Sequence, residues 1–143
     1  EFPWGTHYNK RELWPRPPRP YGGSPMTLNE IRRLLNADVP LDVGSLDAEI
    51  HTAFASDLMS DTLAYADHCT VLLTGLCNTQ VLRTAEMLDI PAIIFVRGKK
   101  PTGEMLELAR EDHVCILQTG YSMYAACGIL YSAGLEGGFL HER

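Results

Sequence analysis

The sequence predicts an α/β domain with a small, mostly parallel sheet of about four strands and helices on both of its faces. Thr70–Leu73 and Ala92–Val96 are continuous apolar runs, typical of strands that are buried on both faces of a parallel sheet. Between these runs, apolar residues recur at helical spacing: Val81, Leu82, Ala85 and Leu88. A strand, a helix and a second strand in this order indicate a right-handed βαβ unit.

The length, composition and net charge of the chain limit the classes of function that it can have. The chain has 143 residues, enough for one domain with a core, and its 45% hydrophobic and 21% charged composition excludes a wholly disordered protein. The net charge of −6 disfavours a nucleic-acid binder, because such proteins present a basic face to phosphates. No apolar run approaches the roughly 20 residues that span a bilayer, and no signal-peptide pattern opens the chain. We therefore expect a cytoplasmic protein that binds no membrane.

Residues 1–25 differ in composition from the rest, with six prolines and both tryptophans. They are either an extension derived from cloning or expression, or a docking arm in which Trp4 and Trp14 act as anchors. The α/β domain is predicted to occupy residues 26–143.

The first half of that domain begins with a helix signal. Thr27–Glu30 is a capping box, in which the threonine hydroxyl and the glutamate side chain each accept from the other residue's backbone N–H. Val39–Leu41 is predicted as a short edge strand and Glu49–Ala55 as a further strand. Ser56 or Asp57 is then expected to cap a helix with these residues facing inward: Leu58, Met59, Leu63 and Ala64.

The second half continues in the same alternation. After the βαβ unit, Pro101 and Thr102 open another helix, and Val114–Leu117 forms a third apolar strand. Tyr121–Ala133 is a helix that is apolar almost all round, so it must be covered on more than one side, either by its own core or by a partner subunit. We expect a homodimer with these candidate interface residues: Tyr121, Tyr124, Ile129 and Tyr131.

The turns after the predicted strands contain a candidate binding site. The carboxyl ends of parallel strands meet at one edge of the sheet, where helix N-termini direct their amides. The turns there carry glycines, hydroxyls, an amide and basic charge, which suit a small anion or a nucleotide: Ser56, Asp57, Thr74, Gly75, Asn78, Arg97, Gly98, Lys99, Gly120 and Ser122. The same residue types also cap helices in any such sheet, and neither GxxxxGK(S/T) nor GxGxxG after a strand is present.

The sequence predicts no catalytic residue, metal site or cofactor. The histidines His51, His68 and His113 are well separated and are interpreted as surface or strand-edge residues. The cysteines form no CxxC pair; Cys77 precedes a helix N-terminus, where a thiolate can be stabilised, but a structural thiol is favoured because no resolving cysteine is adjacent.

Five stretches of the body match a known pattern: residues 56–61, 71–75, 83–87, 95–101 and 126–131. Through them the chain from Met26 to Gly138 resembles the DRTGG domain family, and most of all the stand-alone members encoded near iron-only hydrogenase and related redox genes. The string Asp-Arg-Thr-Gly-Gly itself is absent. The resemblance implies a DRTGG-like fold and a dimerising or regulatory role, since similar domains lie outside the kinase domain of HPr kinase/phosphorylases and between CBS domains in regulated pyrophosphatases.

We therefore expect a non-enzymatic regulatory or accessory domain that dimerises, binds a small anion or a nucleotide, and is linked to hydrogenase or redox metabolism through a redox-enzyme partner. The alternative is a phosphate-ligand enzyme or sensor that uses Asn78, Arg97, Lys99 and Ser122. A third hypothesis is a redox partnership through Cys77.

Overall fold

The structure, a computed structural model, describes residues 25–137. The predicted extension of residues 1–25 lies outside this range except for Pro25. The elements in chain order are β1 (Met26–Thr27), α1 (Leu28–Leu34), β2 (Asp38–Leu41), β3 (Glu49–Ile50), β4 (Thr52–Ala55), α2 (Met59–Tyr65), β5 (Thr70–Thr74), α3 (Thr79–Leu88), β6 (Ala92–Phe95), α4 (Gly103–Glu111), β7 (Cys115–Gln118), α5 (Met123–Ser132) and β8 (Glu136–Gly137).

The main sheet has six strands in the order β2-β7-β6-β5-β4-β8. All neighbours are parallel except the edge strand β2, which runs antiparallel to β7. The mostly parallel α/β class is confirmed, whereas the predicted count of about four strands was too low. The strand β8 has only two residues and its pairing depends on the distant β4, so nothing local in the sequence indicates it.

The predicted strand Glu49–Ala55 is wrong as a single element. Ile50 pairs with Met26 in a separate two-stranded antiparallel sheet, while Thr52 begins the parallel pairing of β4 with Thr70. The backbone N–H groups of His51 and Thr52 both donate to the carbonyl of Cys69, at 3.0 and 3.3 Å, where the chain passes from one sheet to the other.

Helices cover both faces of the main sheet, as the continuous apolar runs predicted. Val71 and Leu73 of β5 are fully buried in the cluster that includes α1 and α5. Leu72, which points the opposite way because side chains alternate along a strand, is buried in the cluster that includes α3 and α4. None of the helices within residues 25–137 has the length and apolarity that a membrane crossing requires.

The helix starts differ in how they are capped. The capping box of α1 is confirmed: Thr27 Oγ1 accepts from the Glu30 N–H and Glu30 Oε2 accepts from the Thr27 N–H, each at 3.2 Å. Thr102 and Ser122 cap α4 and α5 in the ordinary way, whereas Asn78, at the start of α3, makes no side-chain cap hydrogen bond.

The predicted start of α2 was wrong. Its N-cap is Leu58 rather than Ser56 or Asp57, because the Ser56 hydroxyl accepts from the Leu58 N–H at 3.0 Å in a local turn that delays the helix. Only Met59 and Thr62 of α2 are buried; Leu58 and Leu63, which were predicted to face inward, are exposed, as is Ala64.

Candidate functional site

The parallel register brings four turns to one edge of the sheet. Ala55 lies opposite Leu73, Thr74 opposite Phe95, and Phe95 in turn opposite Gln118, so β4 to β7 end at nearly the same level. We call the turns that follow these strands the rim: residues 56–57, 75–78, 96–100 and 119–122. The predicted gathering of the glycine-bearing turns is confirmed, and a binding role for them stays a prediction.

Asp57 links three of the predicted residues at the centre of the rim. Its Oδ1 accepts from the Gly75 N–H at 2.7 Å and from the Thr74 hydroxyl at 3.0 Å. Its Oδ2 lies 3.9 Å from Arg97 Nη2. Asp57, expected as a helix cap, instead joins the turn after β4 to the turns after β5 and β6.

Arg97 is held in an unusual backbone conformation. Its φ is +58°, in the left-handed region, and Gly98 follows at +67°. For a residue with a Cβ this conformation costs roughly 1–2 kcal/mol. It is fixed by two backbone hydrogen bonds, from the Arg97 N–H to the Tyr121 carbonyl at 2.8 Å and from the Gly98 N–H to the Thr119 carbonyl at 2.9 Å. The turn after β6 is thereby tied to the turn before α5.

The Arg97 guanidinium lies directly over Gly75. A Cβ added to Gly75 would lie 2.9 Å from Arg97 Cζ and still closer to Nη2. A side chain at this position would therefore displace the guanidinium, whereas the backbone of Gly75, which does not have a positive φ, would not be strained.

The charged groups of the rim remain open to solvent. The side chains of Arg97 and Asp57 are 53% and 52% exposed, and such a pair contributes only about 0–1 kcal/mol. Lys99 and Lys100 are also exposed, so three basic side chains stand beside the one carboxylate. Because the ion pair is weak, an incoming anion can draw the Arg97 guanidinium away from Asp57.

Of the remaining candidate residues, some use their side chains in local hydrogen bonds and others are exposed. The Ser56 hydroxyl is engaged by Leu58, and the Ser122 hydroxyl accepts from the Ala125 N–H at 3.2 Å as the cap of α5. Asn78 and Gly120 are exposed. Because the Asn78 side chain does not cap α3, the first-turn amides of that helix receive no acceptor from it.

The surroundings of Cys77 support the favoured interpretation of a structural thiol over that of a stabilised thiolate. Burial raises the pKa of the Cys77 thiol, and the positive charge of Lys99 lowers it by less. The thiol donates to the Lys100 carbonyl at 3.2 Å and lies 4.0 Å from the Met105 sulfur. Cys77 thus joins the turn after β5 to the turn after β6 as a neutral thiol.

Thr119 lies in a turn that was predicted to reach the rim, but it was not among the candidate binding residues. It is buried, its hydroxyl donates to the Leu35 carbonyl at 2.8 Å, and it accepts from the Tyr121 N–H at 3.3 Å. It therefore fixes the loop whose carbonyls hold Arg97 and Gly98. A signal was present, because Thr119-Gly120 repeats the Thr74-Gly75 pattern at the end of an apolar strand.

The α/β fold is like that of a solved regulatory region that contains CBS and DRTGG domains. Among solved structures, the chain is similar to the CBS and DRTGG domains of the regulatory region of Clostridium perfringens pyrophosphatase, crystallised with its activator diadenosine tetraphosphate. The identity is 14%, the TM-score is 0.66, and the match covers 76% of this chain. The chain spans about half of that structure's length, since 47% of it is covered. No family model and no curated protein matches the sequence.

Proposed function

We propose that this chain is a non-enzymatic regulatory domain that binds a nucleotide or a related phosphate-bearing anion at the rim. The observation that carries this proposal is the placement of Arg97 over Gly75, where an exposed and weak contact with Asp57 leaves the guanidinium available. Guanidinium groups bind phosphate oxygens through two parallel hydrogen bonds, and such charge-assisted bonds are among the stronger ones in proteins.

Two further features of the rim support the same ligand class. Lys99 adds exposed positive charge next to Arg97. The N-terminus of α3 directs amides that Asn78 does not cap toward the same edge, and helix N-termini favour anions. The similarity to a regulatory region crystallised with diadenosine tetraphosphate makes a nucleotide with several phosphates the first ligand to test.

Isothermal titration calorimetry with diadenosine tetraphosphate, ATP and AMP tests the proposal on the full chain. We expect the polyphosphates to bind and Arg97→Ala to weaken them at least tenfold. Arg110→Ala is the matched control, because this exposed arginine lies near the end of α4 and pairs only weakly with Glu107, at 4.0 Å. Absence of binding by all three nucleotides, or binding that Arg97→Ala leaves unchanged, would contradict the proposal.

The alternative function is a phosphate-ligand enzyme or sensor that uses the same rim. Turnover of the nucleotide distinguishes an enzyme from a non-enzymatic regulatory domain. Chromatography of the nucleotide after prolonged incubation detects hydrolysis or transfer. Turnover that Arg97→Ala abolishes would favour the enzyme over the regulatory domain.

We also propose that the domain acts in the cytoplasm as a homodimer that contacts through the outer face of α5. Tyr124 and Tyr131 are 90% and 57% exposed on that face, while Ala126 and Leu130 of the opposite face are buried in the core. A link to a hydrogenase or another redox-enzyme partner rests on the sequence resemblance to stand-alone DRTGG-domain proteins, and co-purification of the two proteins from a common host tests it.

A further inference from the structure

Three side chains with metal-binding atoms meet at the edge of the sheet opposite the rim. Asp67, His68 and Cys69 directly precede β5, so they lie at the amino end of a strand whose carboxyl end forms the rim. One ligand atom of each residue, a carboxylate oxygen, an imidazole nitrogen and the thiol sulfur, lies within 4.8 Å of the other two. Within residues 25–137 no other group of three such side chains meets this criterion.

The upper limit of 4.8 Å on these separations is little more than about 1 Å above the separations in a tetrahedral zinc site. Zinc binds sulfur at about 2.3 Å, nitrogen at about 2.0–2.1 Å and carboxylate oxygen at about 2.0–2.2 Å, which places neighbouring ligand atoms roughly 3.4–3.6 Å apart. The three atoms, which lie within 4.8 Å of one another, therefore have to approach by about 1.2–1.4 Å at most. Asp67 and His68 are exposed, so rotation of their side chains toward the half-buried Cys69 can supply this movement.

The backbone of the turn is fixed without an ion. Asp67 Oδ1 accepts from the Cys69 N–H at 2.9 Å and from the Thr70 hydroxyl at 3.0 Å. The Cys69 carbonyl accepts from the backbone N–H groups of His51 and Thr52, which anchors the turn on β4. These bonds occupy Oδ1 of Asp67, and its Oδ2 makes no hydrogen bond or ion pair with the described residues.

We propose that Asp67, His68 and Cys69 bind a divalent transition-metal ion of the zinc class. A thiolate, an imidazole and a carboxylate together favour zinc over magnesium or calcium, which prefer oxygen ligands alone. Three protein ligands leave a fourth position for water or for a ligand from a partner. Binding requires the thiolate, so the proton of the Cys69 thiol passes to solvent when the ion enters. The sequence prediction of no metal site compared the histidines only with one another and missed the adjacent aspartate and cysteine.

Titration of the full chain with Zn²⁺, in competition with a chromophoric chelator, tests the site. We expect one equivalent to bind and both Cys69→Ser and His68→Ala to weaken it at least tenfold. Asp67→Asn retains the oxygen that accepts from the Cys69 N–H, so it should preserve the turn and cause a smaller loss. Cys127→Ser and His113→Asn are matched controls, because they remove the same ligand types elsewhere in the domain.

The outcomes separate this site from other zinc-binding groups. The chain also contains His7 and His141, which lie outside the described residues. Loss of binding in the double variant His7→Ala/His141→Ala, with retention in His68→Ala, would overturn the proposal. Retained affinity in Cys69→Ser, or no zinc binding by the unaltered chain, would overturn it as well. Circular dichroism of each variant shows whether the domain is folded.

Discussion

Although Asp57 and Arg97 contact one another, we expect them to have opposite effects on an anion at the proposed site. Asp57→Asn keeps an oxygen that can accept from the Gly75 N–H and the Thr74 hydroxyl, but it removes the negative charge beside Arg97. We expect this variant to bind diadenosine tetraphosphate roughly two- to fivefold more tightly, the range of an exposed ion pair, whereas Arg97→Ala binds it more weakly. Calorimetry on both variants measures whether the affinity for the nucleotide rises or falls. An equal loss of affinity in both would contradict the idea that Asp57 and the nucleotide compete for the guanidinium.

Gly75 gives a second test that leaves every charge in place. In Gly75→Ala the new methyl group would collide with the Arg97 guanidinium, the flexible end of a long side chain that can move away at little cost. We expect the free energy of unfolding in urea to change by less than about 1 kcal/mol, because no positive φ is strained, while nucleotide affinity falls toward that of Arg97→Ala.

Gly103→Ala is the control for Gly75→Ala. A Cβ at Gly103 meets no atom within 4 Å, and the position is the first residue of α4. It should leave nucleotide affinity unchanged. Strong destabilisation of the domain by Gly75→Ala would show that the guanidinium is fixed rather than free to move.

Cys77 is expected to react slowly near neutral pH. Because burial raises the pKa of its thiol, the reactive thiolate forms only at a higher pH than in an unfolded chain. Alkylation followed by mass spectrometry across a pH series should give a midpoint above that of the same cysteine in urea. Lys99→Ala removes a charge that lowers this pKa, so the midpoint should rise further. A midpoint below that of the unfolded chain would restore the redox hypothesis.

At the scale of the secondary-structure element, substitution of the N-cap residue should cost more stability in α1 than in α3, because only the N-cap side chain of α1 makes a cap hydrogen bond. Thr27→Ala deletes a hydroxyl that accepts from the Glu30 N–H, so we expect it to lower the free energy of unfolding by about 1 kcal/mol. Asn78→Ala removes a side chain that makes no cap hydrogen bond, so we expect a change within about 0.5 kcal/mol. Urea denaturation measures both, and equal losses would show that Asn78 does stabilise α3.

The elements that the sequence predicted are those whose signals are local. The capping box of α1, the apolar runs of β5 and β6 and the apolar face of α3 each depend on residues within one short window. The division of residues 49–55 into β3 and β4 depends instead on which distant strand each half pairs with. The strand β8 was not predicted for the same reason, since its two residues pair with the distant Thr52 and Ala53.

At the scale of the whole molecule, the position of the rim could be predicted from the sheet topology. The side-chain contacts within the rim could not. Parallel strands must end at a common edge, so the gathering of the four turns could be predicted. Asp57 does not cap the helix that follows it, because its carboxylate accepts from Thr74 and Gly75 instead. These residues lie 17 and 18 positions further along the chain, so a tertiary contact competes with local capping. The proposed zinc site at Asp67, His68 and Cys69 was not predicted, because three adjacent residues do not resemble the spaced ligand motifs of known sites.

The outer face of α5 determines the expected state of assembly. A shallow apolar concavity of about 350 Å³ lies between α5 and the β4–β8 edge, lined by Ala53, Tyr124, Tyr131 and their neighbours. Burying a tyrosine removes roughly 150–250 Å² from water, and a stable interface buries about 800 Å² on each partner. Two copies that pack these faces together would therefore bury a substantial part of that area through their tyrosines alone.

We expect the unaltered chain to sediment as a dimer at micromolar concentration and Tyr124→Glu to sediment as a monomer, because a charge at the centre of an apolar interface must lose its hydration. Met87→Glu is the matched control, since Met87 is 73% exposed on α3, which packs on the other face of the sheet. A monomer in the unaltered chain would refute assembly through α5, and dissociation by Met87→Glu alone would place the interface on the opposite face.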